Sequence, residues 1–285
     1  MFEDVLIPTD GSDCADVAVQ YAEDLAAHYG ATVHALCVVD SRSLENVSQS
    51  DRRREASTEI AERTCNELAE AGLPVERAVR TDVPHQAILE YVTEHGVDLI
   101  VMGTHGRTGV ERYLLGSVTE KVVRLSDVPV LTVKTVADGE VTYPYSNILV
   151  PTDGSEGAVA AIAPAVGLAS TYDARLHALS AVDTMAMGFD VRSDMILDTL
   201  EETARAAVET VEERAAQASV SEVDTALDYG SPYQVIRSYV EDHQIDLVVM
   251  GTHGRGGIER YLLGSVTEKT VRTSPVPVMT VRYSE

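Results

Sequence analysis

Apolar and polar positions fall into blocks of two kinds along the 285-residue chain. Short apolar runs such as "DVLIP" (Asp4–Pro8) and "ATVHALCVVD" (Ala31–Asp40) read as buried strands. Between them lie stretches with helical spacing. Ala18, Ala22, Leu25, Ala26 and Tyr29 share one face of a helix predicted from about Asp13 to Tyr29, which Gly30 ends. The same reading predicts a polar-faced helix over Arg52–Ala71 closed by Gly72, a strand at "VERAVR" (Val75–Arg80), and a helix from Pro84 to about His95. A strand at "VDLIVMG" (Val97–Gly103), a short helix over Ser117–Leu125 and a last strand at "VPVLTVK" (Val128–Lys134) complete the set. Strands separated by crossover helices imply an α/β fold with a parallel sheet covered on both faces. Ligands of such sheets bind at the carboxyl ends of the strands.

The plan then repeats. "VLIPTDGS" (Val5–Ser12) returns as "ILVPTDGS" (Ile148–Ser155), and "MGTHGRTGVERYLLGSVTEK" (Met102–Lys121) returns from Met250 to Lys269, changed only at 108/256 and 110/258. Such a period is too long for a solenoid repeat and fits two whole domains. The predicted division is a first domain over 1–134, a polar, turn-rich linker over 135–146 and a second domain over 147–285. The spacing between motifs grows in the second half, which places extra residues around "DTMAMGFDVRSDM" (Asp183–Met195). One local conflict is Pro164, within the helix matching Ala15–Tyr29. Proline there removes a helical hydrogen bond, so the helix should kink or turn the proline outward.

Composition narrows the function. A net charge of −24, with only three lysines (Lys121, Lys134, Lys269), leaves no basic stripe for nucleic acid or an anionic membrane. Acidic charge on well-patterned helices suits a protein working in concentrated salt, where self-repulsion is screened; an ordinary acidic cytosolic protein is the plainer reading. Cys14, Cys37 and Cys65 form no paired motif, which favours a reducing, cytoplasmic setting. The start, "MFEDVLIPTD", is no secretory signal, and no apolar run is long enough to span a membrane.

Chemistry concentrates in the repeated loop, Gly103-x2-Gly106-x9-Gly116-Ser117 and Gly251-x2-Gly254-x9-Gly264-Ser265. Glycines directly after a strand bring backbone N–H groups close to a ligand, and the final Gly-Ser opens a helix whose first N–H groups attract an anion. That spacing suggests a phosphate site. "SVTE" (Ser117–Glu120, Ser265–Glu268) also reads as a capping box, in which the serine only caps. No lysine completes a Walker loop. Arg107 and Arg255 are the nearest cations, either phosphate contacts or solvated loop residues. His105 and His253 read as loop-shaping rather than catalytic, and no cluster has metal-ligand spacing. Asp10 and Asp153 are turn formers or caps on one reading, acceptors for base or ribose on the other.

"LIPTDGS", the "VVD" that ends the second strand, and "MGTHGRTGVERYLLGSVTEKVVRLSDVPVLTV" resemble the universal stress proteins, and the second half does so again. The resemblance implies two tandem Rossmann-like domains of the adenine nucleotide alpha hydrolase type, each a five-stranded parallel sheet in order 3-2-1-4-5. It implies an intrachain pseudo-dimer through the fifth strands, or a homodimer, and ATP or another adenine nucleotide as ligand, accompanied by Mg²⁺ or Mn²⁺. By the same resemblance the triphosphate lies against Gly103, Gly106, Gly116, Ser117 and Val118, and against Gly251, Gly254, Gly264, Ser265 and Val266; Met102, Arg107, Met250 and Arg255 are counted as further candidate residues of the two ATP sites. Asp10 and Asp153 hold the adenosine end, Pro8, Thr9, Pro151 and Thr152 shape its wall, and the backbone of Val38 and Ala181 meets adenine. The family's Gly-x-Pro is kept at Gly230-Ser231-Pro232 but replaced by Asp82-Val83-Pro84, which should weaken the first site. The implied function is a stress-response regulator acting through nucleotide-dependent binding, with slow or no hydrolysis. A nucleotide-free scaffold and a nucleotide hydrolase are the alternatives.

Overall fold

The computed structural model describes residues 1–44, 47–106, 115–135, 143–183, 194–254 and 262–283. Arg107, Arg255, most of the predicted linker (136–142) and most of the predicted insertion (184–193) lie outside them. The chain divides into two compact units, residues 1–141 and 142–285.

In the first unit, strands β1 (Asp4–Pro8), β2 (Thr32–Asp40), β3 (Val75–Asp82), β4 (Leu99–Gly103) and β5 (Val130–Val133) alternate with helices α1 (Asp13–Tyr29), α2 (Val47–Glu70), α3 (Pro84–His95) and α4 (Ser117–Leu125). All its strand pairs are parallel: β1 lies between β2 and β4, β3 follows on the far side of β2, and β5 on the far side of β4. Leu6, Ile7, Leu36, Leu99 and Ile100 are fully buried, which stabilises the sheet by roughly 1.5–3 kcal/mol per side chain before entropy is counted. Ser12 caps α1 by accepting from the Ala15 N–H at 3.4 Å, and Gly30 ends it in the left-handed region at φ 66°. Helix α2 begins before the predicted Arg52, because the polar run "VSQSD" contains no glycine or proline to stop a helix.

The second unit repeats the order with β6 (Asn147–Pro151), α5 (Glu156–Ala160), α6 (Ile162–Tyr172), β7 (Arg175–Val182), α7 (Asp194–Gln217), β8 (Val223–Tyr229), α8 (Pro232–Asp242), β9 (Leu247–Gly251), α9 (Ser265–Thr273) and β10 (Val278–Val281). Here β6 lies between β7 and β9, with β8 beyond β7 and β10 beyond β9, all parallel. Pro164 has the expected effect. The helix that is continuous in the first unit is divided here at Ala161, whose N–H turns to Ala158 O at 3.1 Å. Pro164 cannot donate to the carbonyl of Ala160, so the last turn of α5 tightens and ends.

Both units bury a histidine, His34 beneath α3 and His177 beneath α8. The Tyr91 hydroxyl lies 3.1 Å from His34 Nδ1, and the Tyr239 hydroxyl 3.1 Å from His177 Nδ1. His95 and His243 stack on those tyrosines with ring centroids 3.8 Å apart. His34 Nε2 meets a carboxylate, Asp4 Oδ1 at 2.9 Å, whereas His177 Nε2 meets the amide oxygen of Asn147 at 3.2 Å. Among the described residues no helix is long and apolar enough to cross a membrane.

Candidate functional site

The carboxyl ends of the first and fourth strands of each unit carry the repeated motifs. After β1 the chain turns tightly: Thr9 Oγ1 accepts from the Gly11 N–H at 3.2 Å, and Asp10 Oδ1 from the Ser12 N–H at 3.1 Å. Thr152 and Asp153 do the same for Gly154 and Ser155, at 3.2 and 3.0 Å. Each aspartate is therefore a turn former, and the helix cap is the serine that follows. Its second oxygen has another neighbour. A β-carbon on Gly106 would collide with Asp10 Oδ2, and one on Gly254 would stand 2.6 Å from Asp153 Oδ2.

The glycine after the fourth strand is as constrained. A β-carbon on Gly103 would lie 2.8 Å from Cys14 Sγ, and one on Gly251 would collide with the carbonyl of Gly157. Only glycine lets β4 and β9 leave the sheet this close to the first helical turn. Position 14/157 is where the two units part: a buried cysteine in one, backbone against backbone in the other.

The capping-box reading of "SVTE" is corrected. The N-caps are Gly116 and Gly264, no cap side chain bonds to either terminus, and Ser117 and Ser265 are the first helical residues, both exposed. The cause is a clamp that pulls the first turn onto the strand end. Gly116 N donates to Thr104 O at 2.7 Å and Thr119 Oγ1 to Gly103 O at 2.9 Å; Gly264 N and Thr267 Oγ1 repeat this with Thr252 O and Gly251 O at 2.9 and 2.8 Å. Helix termini without a side-chain cap keep backbone donors for an anion. Thr119 and Thr267 were not singled out from the sequence, although their repetition within "SVTE" marked them.

In the second unit these pieces enclose a cleft of about 1090 Å³. Pro151, Thr152 and Asp153 come to it from the end of β6, Ala181 from β7, Met250 and Gly251 from β9, Gly254 from the loop, and Gly264, Ser265 and Val266 from the start of α9. Every predicted residue of this half except Arg255, which is not described, lines one space. Leu200 and Ala204 of α7 and Pro232 and Ile236 of α8 add an apolar wall. Those four were not singled out from the sequence.

In the first unit Pro8, Thr9, Asp10, Val38, Met102, Gly103, Gly106, Gly116, Ser117 and Val118 occupy the same strand ends and helix start. Asp82 and Asp40 adjoin them. Asp82 ends β3 as the register partner of Asp40, and its Oδ1 accepts from the Val83 N–H at 2.6 Å; its counterpart Gly230 has φ 137°, a conformation that suits glycine. Arg42 donates to Asp40 from Nε at 2.9 Å and Nη2 at 2.7 Å, which lowers the Asp40 pKa. At the end of β5, burial lowers the Lys134 ammonium to about 8. Among the described residues no group of three or more His, Cys, Asp or Glu is placed to hold a metal ion.

Comparison with known proteins agrees with this architecture. The sequence profile of the Universal stress protein family matches residues 1–134 and 144–282. The chain belongs to the universal stress protein family. Two universal stress proteins of Methanocaldococcus jannaschii, MJ0531 and MJ0577, are 35% and 31% identical to it over 141 and 155 residues; each alignment covers 47% of this chain, and 83% and 96% of the relative. Single-domain relatives of this kind account for half the chain at a time, and the two family matches account for the repeat. The crystal structure of a universal stress protein from Archaeoglobus fulgidus superposes with a TM-score of 0.74 at 25% identity, covering 99% of this chain and 98% of that one.

Proposed function

We propose that this universal stress protein binds adenine nucleotides, ATP foremost, and acts as a cytoplasmic stress-response regulator through nucleotide-dependent binding, with slow or no hydrolysis. The observation that carries the reading is the second cleft, where two motifs far apart in sequence line a single space of nucleotide size. The phosphates would lie on the α9 N-terminus among Gly251, Gly254, Gly264, Ser265 and Val266. Asp153 would take the ribose, and the apolar wall with the Ala181 backbone would take adenine. Glycines that cannot carry a β-carbon, beside a helix start that no side chain caps, fit an anionic group. Mg²⁺ or Mn²⁺ would arrive with the nucleotide and be held by phosphate oxygens and water. The first unit would offer the equivalent cradle at Gly103, Gly106, Gly116, Ser117 and Val118, with Asp10 opposite.

Calorimetric titration of ATP and AMP with Mg²⁺, in molar KCl, tests this on the wild type, Gly103→Val, Gly251→Val and the double variant, with folding checked for each. Two ATP per chain, halved by each single substitution and lost in the double, is the expected result. Loss of all binding with Gly251→Val alone would assign the first unit a structural role. No binding by the folded wild type would reject the nucleotide reading in favour of an interaction scaffold.

A further inference from the structure

We infer that the first unit selects guanine over adenine, with Arg53 and Asp82 reading the base at the end of the site away from the phosphate cradle; the inference rests on the nucleotide reading above. A nucleotide held by its phosphates at a helix start places its base at the far end of the cleft. In the second unit that end is the close of β7, Ala181 to Asp183, beside the wall formed by Leu200 and Ala204. An apolar wall reads a base by shape, which separates one purine from the other only weakly.

The first unit keeps the glycines and serine of the cradle and changes this wall. Helices α2 and α7 each have 24 residues and follow the second strand of their unit. Arg53 is the seventh residue of α2 and Ser57 the eleventh, the places that Leu200 and Ala204 hold in α7. Burial confirms the alignment: Ser57, Ala61 and Thr64 are buried, and so are Ala204, Val208 and Val211 at the same spacing.

Arg53 is exposed, and its guanidinium is held at the end of β2. Nη1 donates to Ser43 Oγ, whose hydroxyl donates to the carbonyl of Asp40 at 2.7 Å. The Asp40 carboxylate is taken on both oxygens by Arg42, so it does not compete for Arg53. Asp82 ends the neighbouring strand as the register partner of Asp40, where the second unit has Gly230. Its Oδ1 takes the Val83 N–H at 2.6 Å, which leaves Oδ2 as a second acceptor.

A guanidinium and a carboxylate at one end of a site match guanine better than adenine. Guanine offers O6 and N7 to an arginine as paired acceptors, and its N1–H and 2-amino group to a carboxylate as paired donors. Adenine carries an amino group beside N7, which turns a donor toward the arginine, and its N1 is an acceptor that a carboxylate repels. Asp82 thus makes the first site poorer for ATP and better for GTP.

GTP and ATP are titrated with Mg²⁺, in molar KCl, into the full chain with Gly251→Val silencing the second site. GTP should bind about tenfold more tightly than ATP. Arg53→Leu and Asp82→Gly, added singly, should each shrink that ratio to about threefold or less. In Gly103→Val, where the second site remains, the two nucleotides should differ by less than about threefold. The wild type gives the same readout without Gly251→Val, as one GTP-preferring site per chain that Arg53→Leu abolishes. ATP bound as tightly as GTP at the first site, or a GTP preference that survives both substitutions, would overturn the inference while leaving nucleotide binding intact. Failure of the folded Gly251→Val protein to bind either nucleotide would reject the nucleotide reading of the first unit, and this inference with it.

Discussion

Asp153 and Gly254 are joined by a contact that only glycine permits. Asp153 Oδ1 takes the Ser155 N–H at 3.0 Å and its hydroxyl at 2.6 Å, and Oδ2 faces Gly254, where a β-carbon would stand 2.6 Å away. Asp10 and Gly106 repeat the relationship. The two repeated sequence motifs, one ending the first strand and one following the fourth, are thus two sides of one junction.

Gly254→Ala should therefore act through Asp153. The new methyl group forces the carboxylate or the loop aside, and ATP binding at the second cleft should weaken about tenfold or more. In an Asp153→Ala background the same substitution meets no carboxylate, so its cost in unfolding free energy should fall by at least about 0.5 kcal/mol. Denaturant titration of the four proteins of this cycle measures that coupling. Additive effects would mean that the contact constrains nothing.

Thr267 clamps the start of α9 to the end of β9 through a buried 2.8 Å bond to Gly251 O. Thr267→Val keeps the shape and strands that carbonyl, which should cost about 1–3 kcal/mol. Thr267→Ser restores the hydroxyl and should recover most of the loss. Amide exchange in the first turn of α9 should quicken in the valine variant and not in the serine variant. Unchanged exchange would assign the helix start to its packing alone.

Much of this was legible in the residues. Helix α1 runs from Asp13 to Tyr29 as its apolar spacing predicts, because that stripe meets a sheet and Gly30 supplies the left-handed stop. The residues of the second cleft were legible because a doubled motif is hard to produce by chance. What escaped depends on contacts between distant segments. The capping-box pattern around Ser117 is locally sound, but a hydrogen bond from Thr119 to Gly103 shifts the cap to Gly116. Leu200 and Ile236 carry the spacing of core residues, and periodicity does not distinguish a face turned to the sheet from one turned to a cleft.

The buried His177 gives the second unit a response to acid. Burial lowers the His177 pKa from its ordinary value; Arg175 and His243 act in the same direction and Asp224 opposes them. The folded state then favours neutral imidazole, so this residue contributes stability that is complete above the unfolded pKa of about 6.5. That stability is lost as the pH falls from there through the folded value. Asn147→Asp places beside Nε2 the carboxylate that His34 already has in Asp4. Thermal unfolding followed from pH 7.5 to pH 5 should show the second unit losing less stability in that variant than in the wild type. An identical decline in both would mean that His177 does not set the acid response.

The acidic surplus makes a prediction independent of any ligand. A net charge of −24 opposes compaction through self-repulsion, and at about 1 M salt the Debye length falls to roughly 3 Å. Unfolding midpoints should rise steadily between about 0.1 and 2 M KCl, a range over which exposed charges become screened. Salt also strengthens apolar burial, so a rise alone does not identify repulsion as the cause. Neutralising Glu209, Glu212 and Glu213 on the exposed face of α7 separates the two effects, because it leaves the core unchanged. The triple glutamine variant should be the more stable protein at low salt and should gain less from KCl. Parallel salt curves for the two proteins would place the salt effect in the core and count against the acidic surface as an adaptation to salt.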